Sequence, residues 1–184
     1  MADPVAPWGN AQYNGFAQVR EIGPLGMISL RAKPDVASLA GAFAALGLTL
    51  PEPRRITIDG AKAAGWMSPD EYLLILPYPQ VSAALSSLAQ SLSGQHHLAA
   101  DVSDARAVFR IEGGKADQVI RKLAPVDIGS MAEGELRRTR AAQVAVALWK
   151  QDGGFTLVCF RSVAAYVMGL LTHSAMPGSE LDAG

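Results

Sequence analysis

The order of secondary-structure patterns repeats along this chain, and this repeat constrains the possible folds more than any other feature. The patterns read strand, helix, two strands and helix, then one strand, and then the same five elements again. Equivalent apolar helix positions, such as Leu39 and Val119 or Leu85 and Val167, lie about 80 residues apart. Each half therefore matches a split βαβ, or ferredoxin-like, unit. We predict an α+β fold made of two packed units of this kind, as pseudo-repeats over residues 16–102 and 103–176.

Apolar periodicity places the individual elements. Residues 72–76 form an uninterrupted apolar run, which is typical of a buried strand. Residues 81–92 carry an apolar stripe at helical spacing. Residues 140–149 and 155–160 predict two strands joined by a hairpin turn at residues 152–154. Asp35 and Ser162 stand where N-capping side chains are favoured, so we expect them to begin the first and last helices.

The two ends of the chain lack such periodicity. Residues 1–15 are rich in Pro, Gly and Asn and predict an irregular, flexible arm. This arm carries Trp8 and Tyr13 without a pattern that could bury them in its own domain, so we expect both to contact a partner protein. Residues 177–184 are polar and predict a mobile tail.

Composition excludes several classes of protein. The formal net charge is −1, whereas a nucleic-acid surface needs a basic excess. No apolar run is long enough to cross a bilayer, and the N-terminus lacks the pattern of a secretory signal. The single cysteine, Cys159, excludes an internal disulfide. We therefore expect a cytoplasmic protein without membrane or nucleic-acid partners, and its mean hydropathy of +0.17 suggests a buried partner surface.

No strong catalytic or cofactor motif is present. Gly113, Gly114 and Lys115 lie between a strand and a helix, but Phe109 and Ala116 occupy positions where a phosphate-binding loop needs Gly and Ser or Thr. No dinucleotide-binding fingerprint occurs, and the three histidines lack metal-ligand spacing. We therefore expect no catalytic residue, no metal and no cofactor bound by this chain.

Three residues remain as candidates for ligand binding. Asp101 begins an acidic corner that could orient an amine, although Asp and Ser are also ordinary turn formers. Arg138 belongs to a basic cluster with Arg137 and Arg140. This cluster could hold an anion or an acidic partner, or could simply protect a strand edge. Arg161 could satisfy a buried carboxylate or a partner carbonyl.

Several segments, taken in order, resemble the gamma subunit family of heterotetrameric sarcosine oxidase. They are residues 30–31, 67–76, 101–113, 120–127, 138–149 and 159–166. The family is distantly similar to the folate-binding domain of glycine-cleavage aminomethyltransferases. The resemblance therefore implies an aminomethyltransferase-like fold that agrees with the repeat of split βαβ units.

The resemblance also implies an assembly with alpha, beta and delta subunits. This assembly demethylates sarcosine oxidatively to glycine and passes the one-carbon unit to tetrahydrofolate. Flavin, NAD and tetrahydrofolate are then expected on the partner subunits, with the gamma chain as a non-catalytic support. Two alternatives remain open: a stand-alone folate-binding module, and a truncated one-carbon transferase in which Asp101 orients the amine.

Overall fold

A computed structural model describes residues 9–181 and divides them into two units. The inserted unit comprises residues 24–103. The split unit comprises the residues on either side of it, 9–23 and 104–181. The described residues form two antiparallel sheets and four helices, which confirms the predicted α+β class.

Eleven strands and four helices are numbered here in chain order, within the part of the chain that the structure describes. The strands are β1 (Gln12–Asn14), β2 (Gln18–Ile22), β3 (Gly26–Ala32), β4 (Ile56–Asp59), β5 (Lys62–Ser68), β6 (Glu71–Leu76), β7 (His97–Asp101), β8 (Arg106–Glu112), β9 (Leu136–Ala141), β10 (Val144–Gln151) and β11 (Gly154–Phe160). The helices are α1 (Leu39–Ala45), α2 (Val81–Ser91), α3 (Ala116–Arg121) and α4 (Ala164–Ser174). None of these helices is both long and apolar enough to span a membrane.

The inserted unit is a five-stranded sheet in the order β4-β5-β6-β3-β7. Alternate residues of its strands, such as Leu30 and Leu74, are fully buried in one core with Phe43 of α1 and Leu88 of α2. This is the arrangement expected when amphipathic helices cover one face of an antiparallel sheet. The rings of Phe43 and Tyr72 meet edge to face with centroids 5.4 Å apart, which joins α1 to β6.

Helix α1 ends in a glycine-dependent turn. Gly47 has a φ of +68°, its N–H donates to the carbonyl of Ala44, and the Leu48 N–H donates to the carbonyl of Phe43. These two bonds satisfy carbonyls that the end of the helix leaves without partners, and they favour Gly at this position. Gly47 therefore lies beyond the last turn of α1.

The split unit is a six-stranded sheet in the order β1-β2-β8-β11-β10-β9. Its core joins one face of the sheet to α3 and α4. Val19, Phe109 and Leu157 from the sheet pack there with Val119 and Val167 from the helices. The predicted helix stripes and the predicted strand over residues 155–160 are confirmed by this core.

The two sheets share one topology, but the split unit completes it with a strand from the other end of the chain. In the inserted unit β7 follows α2 and pairs with the first strand, β3. Among the described residues no strand follows α4, and the equivalent place beside β8 is taken by β2. The pairing Val19↔Ile111 therefore brings residues 9–23 into the split unit. The sequence had grouped residues 16–22 with the first pseudo-repeat.

The structure also separates two strands that the sequence prediction merged. Residues 136–141 form β9, and Ala142, with a φ of +51°, turns the chain into β10. The turn was missed because Ala142 is not a residue type that favours a positive φ.

The two expected N-caps are wrong. Helix α1 starts after Ser38, and no side chain caps it, so Asp35 lies outside the helix. Ser162 lies within a 3-10 turn, Arg161–Val163, and α4 begins at Ala164 after the uncapped Val163. In both cases the chain enters the helix through a turn, which moves the first helical residue beyond the predicted cap.

Parts of the expected N-terminal arm and C-terminal tail have contacts in the described residues. Residues 12–14 of the expected arm form β1, and Tyr13 is half-buried against the core of the split unit. Trp8 lies outside the described residues. Beyond α4, the Ser179 hydroxyl accepts a hydrogen bond from Lys122 at 2.9 Å, and the Leu181 N–H donates to Gln118 at 2.8 Å. These hydrogen bonds connect residues 179 and 181 to the split unit, and the expected mobility of the tail stays a prediction.

Candidate functional sites

Asp101 lies at the end of β7, where its carboxylate organises the following turn. Its Oδ1 atom accepts hydrogen bonds from the Ser103 N–H at 2.9 Å and the Ser103 hydroxyl at 2.6 Å. The Ser103 hydroxyl oxygen in turn accepts from the Met27 N–H at 2.9 Å. This geometry is that of a turn former, which is one of the two interpretations drawn from the sequence. A ligand role for Asp101 stays a prediction.

The basic cluster of β9 is divided between two faces of the sheet. Arg138 and Arg140 are exposed and share one face, because side chains alternate along a strand. Arg137 points to the other face and forms an ion pair with Glu135. The structure therefore brings only two of the three guanidinium groups to the same surface, at the edge of the six-stranded sheet.

Arg161 lies in the 3-10 turn between β11 and α4. Its guanidinium is 4.0 Å from the carboxylate of Asp104, and the two side chains are 40% and 70% exposed. An ion pair with this exposure is screened by water and contributes little to stability. Asp104 is thus an exposed partner of Arg161, and a role for Arg161 with a buried carboxylate or a partner carbonyl stays a prediction.

A buried arginine that the sequence analysis did not single out forms a polar network in the split unit. The Arg110 guanidinium donates to the Gln151 carbonyl at 2.6 Å, the Asp152 carbonyl at 3.4 Å, the Thr156 hydroxyl at 3.3 Å and Glu112 at 3.1 Å. Only 7% of its side chain is exposed. These acceptors come from three strands and the hairpin turn, so Arg110 ties the β10–β11 hairpin to β8.

Glu112 extends this network to β2. Its second carboxylate oxygen accepts from the Arg20 Nε at 3.0 Å. The hydrogen bond from Arg20, supported by Arg110 and opposed by partial burial, holds the pKa of Glu112 below its usual value. The sequence did carry a signal: Arg106, Arg110 and Glu112 stand at alternate positions of one strand, and so on one face. The acceptors of Arg110 in this network are groups of the protein itself, so the network supports the structure of the split unit.

Cys159 is buried in the core of the split unit, as expected from its apolar strand. Burial raises the pKa of its thiol to about 12, so the thiolate needed for nucleophilic attack is not formed near neutral pH. Across residues 9–181, no three His, Cys, Asp or Glu side chains come close enough together to hold a metal ion.

The inserted unit has an open cleft beside the end of α1. Its volume is about 430 Å³, and Lys62, Gln80 and Ser87 contribute its polar lining. The Lys62 ammonium donates to the Leu46 carbonyl at 2.7 Å and so caps the helix C-terminus. Local sequence patterns do not predict this cleft, because its lining includes residues from α1, β5, β6 and α2. The ammonium of Lys62, the cationic group in the described lining, is therefore bonded to the end of α1.

A few large apolar side chains remain exposed, and they mark candidate contact surfaces. Leu98 on β7 is 60% exposed, and Phe160 and Tyr166 are each 49% exposed. The Arg106 guanidinium stacks over the Phe160 ring at 4.1 Å. Tyr13, the described one of the two expected partner contacts, is instead packed partly against its own unit. The reason for expecting it at an interface therefore does not hold, and its contact with a partner stays a prediction.

Comparison with known proteins agrees with the resemblance seen in the sequence. Residues 31–176 match the model of the sarcosine oxidase, gamma subunit family. A sarcosine oxidase subunit gamma from Arthrobacter sp is 33% identical over 140 residues, covering 74% of this chain and 68% of that protein. Its counterpart from Corynebacterium sp. (strain P-1) is 30% identical over 140 residues, with the same coverage of both chains.

Solved structures give the same result at the level of fold. A chain of the heterotetrameric sarcosine oxidase from Corynebacterium sp. U-96, in complex with pyrrole 2-carboxylate, superposes with a TM-score of 0.79 and 27% identity, covering 86% of this chain and 83% of that one. Aminomethyltransferase T of the glycine cleavage system from Bartonella henselae gives a TM-score of 0.62 at 11% identity, covering 82% of this chain and 44% of that one. The latter likeness shows a shared fold alone. Since the family model and two named gamma subunits all cover most of the chain, this protein belongs to the sarcosine oxidase gamma subunit family.

Proposed function

We propose that this chain is the non-catalytic gamma subunit of a heterotetrameric sarcosine oxidase. The observation that carries the proposal is the match to the gamma subunit family over residues 31–176, which covers most of both units. The relative from Corynebacterium sp. U-96 is a chain of a heterotetrameric sarcosine oxidase. The partners of this chain are then the alpha, beta and delta subunits, in the cytoplasm.

The larger subunits carry flavin, NAD and tetrahydrofolate in this proposal, and they oxidatively demethylate sarcosine to glycine. The groups that could do chemistry on this chain are already engaged: the thiol of Cys159 is buried, Arg110 is held by protein acceptors, and Asp101 holds a turn. In this proposal the gamma chain stabilises the larger subunits. A partner that binds a folded subunit but not the unfolded chain shifts the folding equilibrium towards the folded state.

The fold is proposed to be two packed, ferredoxin-like units, as in the folate-binding domain of aminomethyltransferases. The shared strand order of the two sheets supports this. The shared fold also keeps a stand-alone folate-binding module as a second candidate. The truncated transferase has weaker support, because the carboxylate proposed to orient an amine already accepts two hydrogen bonds from Ser103.

Co-expression of this chain with the alpha, beta and delta subunits tests the proposal. We expect an affinity-tagged gamma chain to retain all three subunits together with flavin absorbance and sarcosine-dependent formation of hydrogen peroxide. The isolated chain should show neither flavin nor activity. Failure to retain the larger subunits, or turnover of sarcosine by the isolated chain, would contradict the proposal. A rise in melting temperature of the isolated chain with tetrahydrofolate would favour the folate-binding module.

A further inference from the structure

The edge strands of the two sheets are not equally protected against pairing with another chain. Natural sheets block their edges with short strands, charged side chains or proline. In the described residues, β1 has only three residues, β4 has four and ends in Asp59, and β9 carries three arginines. By contrast β7 has an uncharged centre, residues 98–100, and its Leu98 side chain is 60% exposed. The outer edge of β7 is therefore the least protected.

The register of β7 defines which of its backbone groups face outward. β7 pairs antiparallel with β3, and the Val102 N–H donates to the Met27 carbonyl at 2.9 Å. Residues that hydrogen-bond to the same neighbour alternate along an antiparallel strand. Residues 98 and 100 therefore bond to β3, whereas residues 97, 99 and 101 direct their N–H and C=O groups away from it. Within residues 9–181, no backbone group hydrogen-bonds to Ala99 on that outer side.

We propose that the outer edge of β7 receives an extended segment of a larger partner subunit, which adds a sixth strand to the sheet of the inserted unit. This inference rests on the proposed function, which supplies the larger subunits. The outward N–H and C=O groups of β7 recur at every second residue, and the backbone of another extended segment has the same spacing. The backbone groups inside a helix already bond to one another, so a helix could not pair with this edge. The exposed Leu98 selects a segment with an apolar side chain at the facing position.

The test uses a proline that removes an outward donor without touching the β3–β7 ladder. Ala99→Pro deletes the outward N–H and places a ring on the edge, which edge strands tolerate. Ala99→Ser is the matched control, because it keeps the N–H and is also small and polar enough for a half-buried edge position. Both variants are co-expressed with the alpha, beta and delta subunits, and the affinity of each gamma variant for the rest of the complex is measured by displacement of labelled wild-type chain.

We expect Ala99→Pro to weaken assembly at least about tenfold and Ala99→Ser to leave it within about twofold of the wild type. Hydrogen exchange on the wild-type chain gives a second measurement that does not depend on the folding of the variant. The amide of Ala99 should exchange fast in the isolated chain and slowly in the complex, whereas the amide of Ala100 should be protected in both.

The outcomes separate this inference from the proposed function. If the wild-type chain does not assemble with the larger subunits at all, the proposed function fails. If it assembles, but the Ala99 amide exchanges equally fast in the complex, or folded Ala99→Pro assembles with wild-type affinity, only the inference on β7 is overturned. Protection of Ala99 that rises with the concentration of the isolated chain would identify a second copy as the occupant and would also overturn it.

Discussion

Replacing Arg110 with alanine should destabilise the split unit. The guanidinium is buried and serves four acceptors, among them the carbonyls of Gln151 and Asp152 in the β10–β11 hairpin. After the change the buried Thr156 hydroxyl and the part-buried carbonyls of Gln151 and Asp152 lose this donor, and each lost hydrogen bond costs about 0.5–1.5 kcal/mol. Glu112 keeps Arg20 as a partner and is 34% exposed, so its own penalty is small.

The expected loss in the free energy of unfolding is therefore about 3 kcal/mol, at about 1 kcal/mol for each of these three acceptors. For a chain of this size each kcal/mol lowers the melting temperature by about 2–4 °C, so we expect a fall of about 6–12 °C. Arg138→Ala is the control, because that side chain is exposed on β9, and it should change stability by no more than about 0.5 kcal/mol.

Urea unfolding of the wild type and both variants measures the overall effect, and native-state hydrogen exchange locates it. Amides of β10 and β11 should exchange faster in Arg110→Ala, while those of β3 and β6 in the inserted unit should change least. Equal unfolding midpoints for Arg110→Ala and Arg138→Ala would refute the reasoning. So would a loss of protection confined to the inserted unit, since Arg110 makes its contacts within the split unit.

Three further perturbations test other parts of the structure. The lowered pKa of Glu112 means that the folded state favours its carboxylate, so this contribution to stability is complete above the ordinary glutamate pKa of about 4.3 and is lost as the pH falls through the folded value. Acid titration of unfolding should therefore show a shallower loss in Glu112→Gln than in the wild type, and parallel curves would contradict the assigned interaction. Cys159, with a pKa of about 12, should react with a thiol reagent at pH 8 only as fast as the protein opens, and a rate near that of the urea-unfolded chain would show that the thiol is accessible. Phe43→Ala should cost about 3–5 kcal/mol by leaving a cavity beside Tyr72, whereas Ile58→Ala, at a position 40% exposed, should cost far less; similar losses in chemical denaturation would show that Phe43 is not a core anchor.

Local patterns in the sequence were sufficient to predict most of the elements. The apolar run at residues 72–76 and the helical stripe at residues 81–92 correspond to β6 (Glu71–Leu76) and α2 (Val81–Ser91) within one residue at each end. The spacing of apolar residues within a segment indicates which face of the helix or strand is buried, and this signal depends only on neighbouring residues in the sequence. Where the local signal was absent, as at the positive φ of Ala142, the prediction failed and β9 was merged with β10.

The candidate site residues also divide into those that local sequence patterns could place and those that they could not. The predicted strand over residues 155–160 contains Cys159, and the structure places this residue in β11. The sequence left Asp101 open between an amine-orienting acid and a turn former; the structure shows its carboxylate bonded to Ser103 in a turn, and a ligand role stays a prediction. The sequence could not show that the acceptors of Arg110 come from a hairpin about 40 residues further along the chain, because burial of a charged side chain depends on partners that local pattern does not specify.

The sequence by itself determined the apolar faces of the main strands and helices and the family to which the chain belongs, but it predicted two strands between the helices of each half where each unit has three. Only the tertiary structure decided which strands are neighbours: β2 pairs with β8 across an insertion of one entire unit, so the chain closes its second sheet with residues from its beginning. The reason is physical. An apolar strand face can be buried by several possible neighbours, and the choice among them is made by the packing of the whole unit, in which the place beside β8 is filled by the strand whose Val19 completes the core over Phe109 and Ile111.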